Sequence, residues 1–127
     1  AAFLSVKLKR LGEITEHKRA LAAMYQSGLT SDFVKPDVHP DHYDVFHIYN
    51  IRHPKRDAVR EHLLKNGIKT EVHYPVPPHQ QTALRGLFPD AHFPISEEIH
   101  ATTLSLPISF CHTRQDVEQV IDVLNAF

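Results

Sequence analysis

The sequence predicts a small α/β (α+β) domain in which a sheet of three to four short strands is packed with helices. Three observations lead there. Short runs of β-branched and aromatic residues are set apart by Pro and Gly, stretches of helical periodicity alternate with them, and the chain closes on a capped helix with one apolar stripe. At 127 residues the chain is long enough to bury one core.

From Ala1 to about Tyr25, the residues Leu4, Leu8, Leu11, Ile14, Leu21, Met24 and Tyr25 recur at helical spacing. A helix is expected there, with a kink or break at Gly12 and a stop at Gly28. It opens without a cap or an initiator Met, so a chain cut from something longer is expected. Asp, Pro and His dominate Thr30 to Asp44, which reads as a surface loop. Val45 to Ile51 reads as a strand buried at least partly on both faces, with Phe46, Ile48 and Asn50 on one and Val45, His47, Tyr49 and Ile51 on the other.

Lys55 to Asn66 is expected to be a helix with Ala58, Val59, Leu63 and Leu64 inward, ended by a left-handed Gly67. Ile68 to Tyr74 is a second extended stretch, after which Pro75, Pro77 and Pro78 forbid regular structure. Short helices are expected at Gln80 to Leu87 and Ile95 to Thr102, then a third strand at Leu104 to Ile108. Thr113 caps the last helix, Asp116 sits three residues on, and Val117, Val120, Ile121 and Leu124 form its apolar stripe.

Composition narrows the function. Fourteen Lys and Arg against fifteen Asp and Glu leave a net charge of -1, without the basic footprint of a nucleic-acid binder. No apolar run approaches the roughly 18 residues that span a bilayer, and no signal-peptide core opens the chain. The one cysteine, Cys111, has no partner for an internal disulfide. A cytoplasmic protein without membrane or nucleic-acid partners is expected.

The least generic stretch runs from Gly67 to Gln81, G-I-K-T-E-V-H-Y-P-V-P-P-H-Q-Q. It sets His73, Tyr74, His79 and Gln81 just past the end of a strand, on a loop stiffened by proline. Imidazole and phenol groups there could hydrogen-bond an oxygen-rich ligand such as a sugar or phosphate. On composition alone the run also fits a solvated connector, the commoner use of such segments. The eleven histidines suggest metal, but His39, His42 and His47 are scattered by the Pro40 turn, and no H-E-x-x-H or paired-thiol spacing occurs. There is no G-x-S-x-G and no glycine cluster to cradle phosphate, so a complete catalytic apparatus is not expected in this chain.

Three segments in register resemble the DegT/DnrJ/EryC1/StrS aminotransferases. Ala1 to Leu11 resembles the helix after that family's large domain, and Gly67 to Gln81 its G-I-x-T-x-x-H-Y-P-x-P-x-H-x-Q run. Leu104 to Ile108, followed by a Thr-capped helix, is similar to its C-terminal ending. The resemblance implies the small domain of a fold type I, pyridoxal-phosphate enzyme that moves an amino group from glutamate to a nucleotide-linked keto-deoxysugar. Residues 1–28 would be the linker helix from an absent large domain and 29–127 the C-terminal small domain. The cofactor lysine would lie on the large domain, since none of the seven lysines here has its context.

By the same resemblance His73 and Tyr74 match a His-Tyr pair facing the substrate. His79 and Gln81 match the later His and Gln, where loop shaping and direct contact are both open. The family commonly continues Pro-Ala-Tyr, whereas this chain has Thr82-Ala83-Leu84 and no phenol at that point. The loop looks most like members acting on dTDP-linked 3-keto-6-deoxyhexoses. A homodimer is implied, and the apolar face of the first helix is expected to be exposed and to drive self-association. The competing readings are a free-standing module that binds a sugar nucleotide without catalysis, and a His-rich metal hydrolase.

Overall fold

Strands β1 (Tyr49–Arg52) and β2 (Thr103–Leu106) pair antiparallel, with Tyr49 opposite Leu106, Asn50 opposite Ser105 and Ile51 opposite Leu104. Residues directly opposite in such a pair share a face. Tyr49, Ile51, Leu104 and Leu106 therefore form one apolar face, all buried, and Asn50 and Ser105 meet on the other. This is a computed structural model, and it describes residues 1–84, 86–87 and 91–127.

The mixed α/β class is as expected, but the sheet is smaller. Its two strands are each flanked by one antiparallel bridge, Val34 to Arg52 and Glu71 to Ser105. The missing length has local causes. At Phe46 the backbone turns left-handed (φ 46°), its N–H donating to Asp44 Oδ1 at 2.7 Å, while Lys18 takes the carbonyl of His47. Val45 to Ile48 thus spends its backbone groups away from a ladder. Proline after Tyr74 and at Pro107 withholds donors in the same way.

The first helical stretch is two helices, α1 (Ala2–Leu8) and α2 (Leu11–Gly28). The break falls at Lys9–Arg10, and Gly12 lies inside α2. Arg10 makes two 2.8 Å bonds to Glu13 and lies 4.9 Å over the Phe110 ring, which fixes the restart. Gly28 is helical, and the extended Leu29 ends α2. A Cβ at Gly28 would lie 2.8 Å from Ile121 Cδ1, so the glycine serves the close approach of α2 to the last helix.

Helix α3 (Arg56–Lys65) buries Val59 and Leu63, an i,i+4 pair. Ala58 and Leu64 sit off that line and stay exposed, Leu64 at 58%. Gly67 takes the expected left-handed backbone, φ 78°. Where a helix was expected at Gln80 to Leu87 there is a single 3-10 turn, Pro78–Gln80, followed by turns; position 85 lies outside the described residues. Helix α4 (Pro94–Thr102) lies on the surface with no buried residue.

Helix α5 (Arg114–Asn125) follows its prediction closely. Thr113 Oγ1 accepts from the Asp116 N–H at 3.2 Å, and Asp116 Oδ2 accepts from the Thr113 N–H at 2.7 Å. Its four stripe residues are buried against Leu21, Ala22 and Tyr25 of α2, the sheet and α3 in one core. No helix among the described residues is long and apolar enough to cross a membrane.

Candidate functional site

The stretch singled out from sequence runs along the free edge of β2. Glu71 holds it there, its N–H donating to the Ser105 carbonyl at 3.3 Å and its carbonyl accepting from the Ser105 N–H at 2.8 Å. Two residues on, the half-buried His73 places Nδ1 2.8 Å from Ser105 Oγ. Ser105 Oγ in turn donates to Asn50 Oδ1. His73, Ile48, Lys69, Glu71 and Pro107 line a recess of about 180 Å³ beside these bonds.

Tyr74 follows through a cis peptide bond. Its ring meets His73 edge-on, centroids 5.5 Å apart, and the residue is 65% exposed. Its carbonyl accepts from His100 Nδ1 at 2.5 Å, which ties the loop to α4. His73 and Tyr74 are therefore adjacent and open to solvent on one side of the sheet edge.

His79 is placed otherwise. It is buried, its ring lies 4.9 Å from that of Phe93, and Nε2 donates to Glu97 Oε1 at 3.0 Å. The same oxygen accepts from the Phe93 N–H and lies 3.0 Å from His92 Nδ1. These donors, the Phe93 N–H foremost, hold the Glu97 carboxyl below the usual carboxylate range. Gln81 is exposed, and its N–H donates to the Pro78 carbonyl at 3.2 Å.

Sequence reasoning missed Ser105 and Glu97 and placed Asn50 without a role. A signal existed for Asn50, since Asn is depleted in strands and this one interrupts Tyr49 and Ile51. Glu97 carried none for the loop, because two of its partners, Phe93 and His92, are near neighbours and the third, His79, reaches it from 18 residues away. Among the described residues no three His, Cys, Asp or Glu side chains are grouped to hold a metal ion.

A second feature lies at the other end of the chain. No residue of α1 is buried, Phe3 is 88% and Leu8 67% exposed, and Leu4, Leu8, Leu11, Ile14 and Phe110 line an apolar groove of about 900 Å³.

The fold is that of aminotransferases of fold type I. The chain is similar to the X-ray structure of S. venezuelae DesV in complex with a ketimine intermediate, at TM-score 0.94 and 36% identity over 98% of this chain and 34% of that one. A structure of a DegT DnrJ EryC1 StrS aminotransferase from Brucella abortus is similar at TM-score 0.88 and 25% identity, covering 97% of this chain and 33% of that one. In sequence the chain is 38% identical to the dTDP-3-amino-3,6-dideoxy-alpha-D-galactopyranose transaminase of Aneurinibacillus thermoaerophilus, over all of this chain and 35% of the relative. The model of the DegT/DnrJ/EryC1/StrS aminotransferase family matches residues 1–125, and the chain belongs to that family. It spans about a third of the length of the relatives it matches.

Pyridoxal phosphate, the cofactor implied for this family, needs a lysine amine withdrawn from water and donors for its phosphate. The described lysines do not fit. Lys18 and Lys35, the two partly withdrawn from solvent, give their ammonium groups to the carbonyls of His47, and of Gln26 and Leu29. Burial pulls the Lys18 ammonium down, yet it sits on a carbonyl and away from the His73 recess. Lys69 lines that recess but is exposed.

Proposed function

We propose that the chain is the C-terminal small domain of a pyridoxal-phosphate sugar aminotransferase. Residues 1–28 link it to a large domain, and residues 29–127 form the small domain. The whole enzyme transfers an amino group from glutamate to a nucleotide-linked keto-deoxysugar, with a dTDP-linked 3-keto-6-deoxyhexose the favoured class. Amino-sugar biosynthesis for surface polysaccharide or glycosides is the setting, in a cytoplasmic homodimer. The observation that carries this reading is a match along the whole chain to one third of named transaminases.

Two features of the chain agree with it. The unburied apolar face of α1 suits a surface that packs on a further domain. The lack of a lysine fitted to the cofactor suits a lobe that supplies substrate contacts and leaves the cofactor elsewhere. The chain alone is then inactive. In the whole enzyme His73 and Tyr74 contact the sugar, His79 shapes the loop through Glu97, and Gln81 lies at the outer end of the same run.

The test is the intact mass of the native gene product, with and without borohydride reduction. A mass near three times that of this chain, with a pyridoxyl adduct on a lysine before Ala1, is expected. A native product of 127 residues without an adduct overturns the reading in favour of a free-standing sugar-nucleotide module.

A further inference from the structure

A serine hydroxyl has one proton to give. In Ser105 that proton goes to Asn50 Oδ1, directly across the β1–β2 pair, so Ser105 Oγ faces His73 Nδ1 as an acceptor. Nδ1 must then carry a hydrogen. Ser105 is only 4% exposed, so water does not compete for its hydroxyl. A neutral imidazole holds a single proton, and with it on Nδ1 the other nitrogen, Nε2, presents a lone pair. This is the tautomer that free histidine disfavours in water. Among the described residues no hydrogen bond to Nε2 occurs.

We propose that Ser105 and Asn50 are positioning residues that lock His73 as its Nδ1–H tautomer, so that its free nitrogen accepts a hydrogen bond from a ligand hydroxyl or amine. The sugar identity of that ligand rests on the function proposed above, whereas the lock does not. Phosphate oxygens are acceptors, so a neutral Nε2 has nothing to offer them. His73 therefore reads the sugar part of a sugar nucleotide and leaves the phosphates to other groups.

The test is long-range ¹H–¹⁵N correlation on the ¹⁵N-histidine-labelled 127-residue chain at about pH 8.5, above the ordinary imidazole range. His73→Gln assigns the signal. A protonated Nδ1 and an unprotonated Nε2 are expected in the wild type, shifting toward the free-histidine mixture in Ser105→Ala. The signature should return in Ser105→Thr and persist in Asn50→Asp, which keeps an acceptor. A wild-type His73 with its proton on Nε2, or a Ser105→Ala spectrum identical to wild type, overturns the lock.

In the whole enzyme, Ser105→Ala should lower kcat/KM for the sugar nucleotide at least about tenfold, with Ser105→Thr recovering most of it. An unchanged kcat/KM despite the altered tautomer overturns the ligand-reading role. A whole protein without any amino transfer, with the tautomer as expected, overturns the aminotransferase reading and leaves the lock standing.

Discussion

The imidazole of His79 and the carboxylate of Glu97 meet at 3.0 Å and join the proline-rich loop to helix α4. Glu97 gathers the Phe93 N–H and His92 on the same oxygen, so a single side chain fastens three separate points. Removing it leaves the buried His79 nitrogen without a partner, a loss of the kind that costs about 1–3 kcal/mol. Glu97→Ala is expected to speed amide exchange at Gln80 and Gln81 at least about tenfold, with α5 unchanged. Because the Glu97 carboxyl is held low, the clasp contributes fully above the ordinary carboxylate range and weakens as pH falls through the lowered value. Exchange at these amides, followed as the sample is acidified, checks the sign.

Tyr25 and Tyr49 stack in the core, 5.0 Å between centroids, with Tyr25 Oη donating to the Pro107 carbonyl at 2.8 Å and Tyr49 Oη to Gln26 Oε1 at 2.9 Å. Burial pushes both phenols up from their ordinary value near 10. The unfolded chain therefore releases these protons first as pH rises, and stability falls above about pH 10. Urea midpoints measured between pH 8 and 11 should show that loss. Tyr25→Phe should cost about 1–2 kcal/mol near neutrality and shrink the alkaline slope.

The capping box of α5 gives the simplest stability prediction. Thr113→Ala removes the acceptor for the Asp116 N–H and should cost about 1 kcal/mol in chemical denaturation. The Thr113 N–H is also the main reason that the Asp116 carboxyl lies below its ordinary range. The contribution of Asp116 is thus present above the ordinary Asp range and is lost as pH falls through the depressed value. Asp116→Asn should flatten that part of the acid profile.

These cases also show what the residues announce by themselves. The α5 cap and stripe and the left-handed Gly67 were legible because each depends on neighbours within a few positions. Strand lengths were not, since Val45 to Ile48 has strand composition but gives its backbone to Asp44 and Lys18. Helix α2 does stop at Gly28, as expected, but what requires a glycine there is the close approach of Ile121, which no local pattern reveals. His73 and Tyr74 could be picked out by type and place. The partners that orient the loop, Ser105, Asn50 and Glu97, became visible only when distant segments were brought together.

Helix α1 predicts association. With Phe3, Leu4, Val6 and Leu8 all exposed, the 127-residue chain should show concentration-dependent mass in sedimentation velocity. Leu4→Glu with Leu8→Glu should return it to monomer without lowering its melting temperature, because neither side chain belongs to the core.

Asn50 and Ser105 stand 55 residues apart in sequence and directly opposite one another in the sheet. The β1–β2 pair closes around its own apolar face, while the loop with His73 and Tyr74 hangs from one backbone bridge and a handful of side-chain bonds. Substitutions at the exposed Tyr74 therefore draw little on folding stability. On the function proposed for that loop, such a division lets selection rewrite which ligand is recognised while the supporting lobe stays as it is.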